Sequence, residues 1–154
     1  MTINNFTMSD NGVNLLKSFE GCRLGAYYDS ANVLTIGWGH TGPEVVHGLT
    51  ITQDQADALL QTDIQGHAGC VNTLVTVPIN QDQFDALADF VYNEGRGHFL
   101  MSTLLKTINA NNFTTAANEF LKWDIAGGQV SAGLLRRRQA ERELFLGNDW
   151  TSYV

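Results

Sequence analysis

Apolar residues near the start of the chain fall at helical spacing. Val13, Leu15, Leu16 and Phe19 share one side of a segment from Asn11 to Phe19. Gly21 follows Glu20, and glycine commonly stops a helix at such a position, so Glu20 is expected at a helix C-terminus. From Ala26 to Thr41 the residues turn to Tyr, Val, Leu, Thr, Ile and Trp, broken by Asp29-Ser30-Ala31-Asn32. That pattern predicts a hairpin with Asp29 at its turn and Thr35 on the returning strand. Thr52 and Gln55 form a capping-box pattern opening a helix through Ala56, Leu59, Leu60 and Ile64. Asn80 and Gln83 repeat it after Pro78, ahead of an apolar stripe of Phe84, Leu87, Ala88 and Val91. Two further helices are expected near Phe99 to Ala110 and Thr114 to Trp123. Gly127-Gly128 marks a loop, and a last helix runs from Ala132 to Leu146, ended by Gly147.

This order predicts an α+β fold in a single domain over residues 1–154. A small β lobe at about 21–51 is joined by a connecting helix at about 52–70 to an all-helical lobe at about 71–154, which also takes in the N-terminal helix at about 9–20. A cleft is expected where the two lobes meet.

Composition narrows the function classes. The chain has 154 residues, 44% of them hydrophobic and 16% charged, which is enough apolar material for a sizeable core. Its longest apolar runs are far too short to span a membrane. The segment Met1-Thr2-Ile3-Asn4-Asn5-Phe6 has neither a basic region nor an apolar core, so no signal peptide is expected. A net charge of −7 argues against nucleic acid as a partner and against adsorption to an anionic surface through bulk charge. Four of the nine bases, Arg136, Arg137, Arg138 and Arg142, fall in one segment, which would ordinarily read as a solvated helix face. Cys22 and Cys70 are expected to be reduced thiols. His47, His67 and His98 lack metal-ligand spacing, so neither metal nor cofactor is expected.

The candidate chemistry lies in Glu20, Asp29 and Thr35, nine and then six residues apart. Hydrolysis of a glycosidic bond needs one carboxylic acid to protonate the leaving oxygen. It also needs a carboxylate, with a hydroxyl partner, to handle water on the other face. The dipole at a helix C-terminus disfavours a negative charge and so favours the protonated carboxyl of a general acid. Spacing alone leaves a plainer reading open, in which Glu20 is a solvated helix end and Asp29 serves a turn. The glycines of Gly37-Trp38-Gly39 lie outside any βαβ unit, which excludes a dinucleotide fingerprint. Close backbone approach to a sugar chain or a neighbouring strand is the expected use.

Taken in order, several segments resemble the phage-type lysozymes, glycoside hydrolase family 24. They are Phe19-Glu20-Gly21, Ala26-Tyr27-Tyr28-Asp29-Ser30, Leu34-Thr35-Ile36-Gly37-Trp38-Gly39-His40, Gln83-Phe84-Asp85-Ala86-Leu87, Tyr92-Asn93-Glu94-Gly95 and Gly133-Leu134-Leu135-Arg136-Arg137-Arg138. The resemblance implies a lysozyme-like fold and a monomeric muramidase acting on the glycan strands of peptidoglycan. Glu20 would be the general acid, with Asp29 and Thr35 placing the water. It implies a cleft formed with His40, Tyr92, Asn93 and Arg137, in which Arg137 as the best match, or else Arg136 or Arg138, pairs with Glu20. It also implies a structural pair of His40 and Asp63, fixing the β lobe to the connecting helix. Glu94 departs from the apolar residue usual in that family, and a third acid there would either shift the pH optimum or point to solvent. Synthesis in a host cytoplasm and holin-dependent release to the periplasmic wall are implied as well. Rival readings are a lytic transglycosylase, a non-catalytic wall-binding module of the same fold, and a secreted antibacterial effector.

Overall fold

The computed structural model describes residues 3–154; Met1 and Thr2, part of the segment read for a signal peptide, lie outside the described residues. Helix α1 spans Asp10–Glu20, capped at its start by Ser9, whose side chain accepts from the Gly12 amide. Gly21 ends it with φ 65°, leaving Glu20 as the last helical residue. Strand β1 (Arg23–Tyr28) then pairs antiparallel with β2 (Leu34–Gly37), which pairs with the short β3 (His40–Thr41). The register sets Tyr27 opposite Thr35 and Thr35 opposite Thr41. The sheet thus starts three residues earlier than expected and gains a third strand. Residues 49–51 also run beside β1, through Ala26 N–H to Leu49 O and Ile51 N–H to Leu24 O, each 2.9 Å.

Helix α2 (Gln53–Ala68) leads out of this lobe, followed by α3 (Cys70–Leu74) and α4 (Gln81–Glu94). The capping boxes read at Thr52/Gln55 and Asn80/Gln83 are both formed. Every residue of α4 from Phe84 to Val91 is buried, because α1, α2, α3 and the helices at Arg96–Met101 and Ala132–Phe145 pack around it. The expected stripe is therefore only one side of an enclosed helix, and Asp85 and Asp89 go into the interior with it. The main core gathers Phe84, Leu87, Phe90, Phe99, Leu104, Ile108, Phe120, Leu144 and Phe145. A second cluster, Val13, Leu16, Leu60 and Ile64, joins α1 to α2 and receives Trp38 and Tyr92.

Three expectations change in the helical half. The single helix from Phe99 to Ala110 is two, α5 (Arg96–Met101) and α6 (Thr103–Asn109). Ser102 breaks it by accepting from the Leu105 amide while its hydroxyl donates to Phe99 O, so one side chain caps both ends. The helix at Thr114–Trp123 is α7 (Phe113–Glu119) followed by a 3₁₀ turn over Phe120–Lys122. Gly127 and Gly128 sit at positive φ and close a two-residue hairpin between β4 (Ile125–Ala126) and β5 (Gln129–Val130). The last helix, α8, spans Ala132–Phe145. No helix among the described residues is long and apolar enough to cross a membrane.

Gly12, inside α1, offers a test of this packing. A Cβ there would lie 2.7 Å from Asp85 Cγ and 2.9 Å from Met8 Cγ. Asp85 is fixed in turn by the Ser9 amide and hydroxyl and by Gln81. Alanine for glycine in a helix interior ordinarily adds about 1 kcal/mol. Here Gly12→Ala is expected to lower stability by roughly 1–3 kcal/mol, as overpacking does. Urea unfolding measures it, and a gain in stability would show that Asp85 yields easily.

Candidate active site

Glu20 reaches the site because α1 ends on it, with its side chain one-fifth exposed. Arg137 of α8 donates from Nη1 to Glu20 Oε1 at 2.7 Å. The same guanidinium donates from Nε and Nη2 to the two oxygens of Asp89, both at 2.9 Å. Asp89 is fully buried, and the Asp89–Arg137 pair is bidentate, the strongest geometry for this chemistry. Burial works against a charge on Asp89, but the Arg137 guanidinium outweighs it and holds the carboxyl below its ordinary value. Glu141 is buried beside it, and there burial wins: its carboxyl is pushed well above the usual range, and the negative charge of Asp89 adds to the effect.

Arg138 is also fully buried, so the reading of 136–138 as a solvated face holds only for Arg136. Arg138 donates to Glu94 Oε1 (2.9 Å), Asn93 Oδ1 (2.7 Å) and Glu141 Oε2 (3.2 Å). Its Nε also comes within 2.7 Å of Glu141 Oε1, but too far out of line for a hydrogen bond. Glu94 thus neither points freely to solvent nor stands as an unpaired third acid; it is the partner of a buried arginine. Asn93 likewise turns its carbonyl inward to Arg138.

The β lobe supplies Asp29 and Thr35. Asp29 Oδ1 accepts from the amides of Ala31 and Val33, each at 2.9 Å, and Asp29 N–H donates to Val33 O, so the carboxylate is locked into the hairpin turn. Thr35 is buried, and its hydroxyl donates to Val33 O at 2.9 Å. With that hydrogen committed, Thr35 Oγ1 offers only lone pairs to a further partner.

The turn Gly37-Trp38-Gly39 brings the two halves together. Gly37 (φ 65°) lies against Ala56 of α2, and a Cβ on Gly39 (φ 95°) would stand 3.3 Å from Glu20 Oε2. The close approach expected of these glycines is thus to α2 and to the Glu20 carboxyl. Trp38 Nε1 donates to Asp57, the Lys17 ammonium sits 5.0 Å from the Trp38 ring centre, and Tyr92 donates to Trp38 O. Burial, with the nearby charges of Glu20 and Asp63, raises the Tyr92 pKa and keeps its hydroxyl a donor. His40 Nδ1 meets Asp63 Oδ2 at 2.7 Å, bringing the two residues of the expected structural pair into contact. His40 Nε2 meets Glu44, a partner that the sequence pattern does not reveal. A pocket of about 390 Å³ opens between α1 and α8, lined by Phe19, Ser131, Leu134 and Arg136 among others. Of the residues assigned to the cleft, Arg137 alone lines it.

Asp89 and Glu141 belong to this site, and sequence reasoning misses both. The available signal is a pair of acids, Asp85 and Asp89, four residues apart in a stretch otherwise apolar from Phe84 to Val91. A buried carboxylate needs a cation, and the arginine-rich last helix is the obvious source.

The chain belongs to the phage lysozyme family, whose model matches residues 17–141. It is 48% identical over 141 residues to an endolysin of Bacillus phage B103, with 90% of this chain and 54% of that protein covered. The chain therefore spans about half the length of that relative. It is 44% identical over 143 residues to an endolysin of Salmonella phage P22, covering 90% of this chain and 97% of that one. Among solved structures, the muramidase domain of SpmX from Asticaccaulis excentricus superposes with a TM-score of 0.85 at 40% identity, covering 92% of this chain and 99% of that one. The lysozyme-like fold, helices with a small antiparallel sheet, is shared with these proteins.

The His40 contacts predict a pH effect. Burial opposes charge on His40, but hydrogen bonds to Glu44 and Asp63, with their negative charges, outweigh it and raise its pKa above 6.5. A raised histidine contributes stability that is full below about pH 6.5 and is lost as pH rises through the folded-state value. Wild type should therefore exceed Asp63→Asn in stability by more at about pH 5.5 than at about pH 8.5. Urea midpoints of both proteins at the two pH values measure this; equal gaps would show an uncharged His40.

Proposed function

We propose that this protein is a muramidase that hydrolyses the β-1,4 bond between N-acetylmuramic acid and N-acetylglucosamine in peptidoglycan. The observation that carries the reading is the placement of Glu20: mostly covered at a helix end, held by Arg137 on one side and crowded by Gly39 on the other. Glu20 gives its proton to the leaving glycosidic oxygen as the bond to the muramic acid C1 breaks. The Arg137 guanidinium then stabilises the carboxylate left behind. The Asp29 carboxylate, fixed in its turn, faces the developing positive charge on the sugar and takes a proton from the incoming water. Thr35 Oγ1, limited to accepting, receives a hydrogen bond from the water's other hydrogen, which stays on the oxygen, and so aims the water's lone pair at C1. The cycle closes when Asp29 gives its proton up to solvent and Glu20 takes one from it.

Attack by a positioned water on the face opposite the leaving group inverts the anomeric carbon. The presence of Asp29 and Thr35 favours hydrolysis over a transglycosylase, which needs no water. We further propose that the protein acts as a monomer on the periplasmic wall, without a metal or cofactor, after release from a phage-infected cytoplasm. The family membership supports wall lysis as its role.

Glu20→Gln preserves shape and a hydrogen bond to Arg137 but has no proton to give. Lysis of outer-membrane-permeabilised cells, followed by turbidity, should fall at least about 10²-fold while circular dichroism stays unchanged. Retention of more than about a tenth of the activity would remove Glu20 from the acid role.

A further inference from the structure

Beyond the Glu20–Arg137 contact, the interior behind it is built as a relay of charge. The groups facing the Arg137 guanidinium are Glu20 from α1, Asp89 from α4, and Glu141 from α8, with the Phe19 ring centre 5.8 Å away. Arg138 stands behind Glu141 with Glu94 as its own counter-ion. Asp89 occupies Nε and Nη2 together, which fixes the plane of the guanidinium and leaves only the Nη1 end directed at the site. Glu20 touches that end through one bond. Two bonds from a fully buried anion outweigh one from a partly exposed one, so the arginine belongs to Asp89 first and to Glu20 second.

We infer that Asp89 is a positioning residue for the reaction: it holds Arg137 in place through the whole cycle, so that Glu20 can lose and regain its proton without the guanidinium moving. This rests on the reading of Glu20 as the general acid. Neutralising Asp89 would leave Glu20 as the one anion hydrogen-bonded to Arg137, favouring the carboxylate and depleting the acid form. It would also free the guanidinium to rotate.

Two measurements test this. In Asp89→Asn, the alkaline limb of the pH–rate profile for wall lysis should move to lower pH by at least about half a unit, with kcat reduced and KM little changed. An unmoved limb would overturn the inference, since a purely structural role would change the amount of folded protein and not the limb. The second uses Glu20→Gln, altered only at the exposed end, and reads the Arg137 Nε–H by nitrogen-15 NMR. The signal should stay resolved and protected from exchange with water, because Asp89 still holds it. Exchange broadening to baseline would show that Glu20 is the anchor, and would overturn the inference even if Asp89→Asn failed to fold. Should Glu20→Gln keep lysing walls, the acid assignment falls, while the NMR result still decides whether Asp89 holds Arg137.

Discussion

A guanidinium with almost no access to water has to be met by negative charge, and Arg137 satisfies this by joining α1, α4 and α8 at one point. The central helix α4 gives up an interior position to Asp89, and α8 turns its arginines inward to match. Removing either partner alone would strand a buried charge, at a cost of about 3–5 kcal/mol. Three helices distant in sequence are therefore fixed to one another by an ion pair whose outer edge is Glu20. The position of the acid is set by the end of α1 and, from behind, by this interior pair.

The other half of the site is fixed differently. The β lobe has few large buried side chains, and its attachment runs through one tight turn. Trp38 is gripped by Asp57, Lys17 and Tyr92, and His40 by Asp63. Glycines at 37 and 39 let that turn lie against α2 and the Glu20 carboxyl, where a side chain would crowd its neighbours. Asp29 and Thr35 take their places from the hairpin's own hydrogen bonds. An interior ion pair thus holds the acid, and a surface-anchored hairpin carries the groups assigned to water.

Features decided by nearby residues are legible in the sequence. Both capping boxes, the end of α1 at Glu20 and the turn at Asp29 depend on contacts within a few positions, and each stands where the pattern puts it. Features decided across the fold are not. Asp85 and Asp89 fall outside the apolar stripe of α4, and periodicity cannot show that helices from several other parts of the chain enclose them. Arg138 and Glu94 look like surface charges for the same reason, since each is explained only by the other. Ser102 lies within a helical pattern, and the break appears only because its hydroxyl serves the backbone on both sides. The resemblance places Arg137 beside Glu20; it carries no sign that Asp89 is the stronger partner.

Hydrolysis by these residues requires acid and water to act from opposite faces of the sugar ring. Proton NMR of the first products released from a purified glycan strand reads this directly, before mutarotation mixes the anomers. New muramic acid reducing ends should appear first as the α-anomer, the outcome of a single displacement at a β-linked carbon. Initial release of the β-anomer would require a covalent intermediate on a carboxylate, and would contradict the proposal that Asp29 and Thr35 place the attacking water.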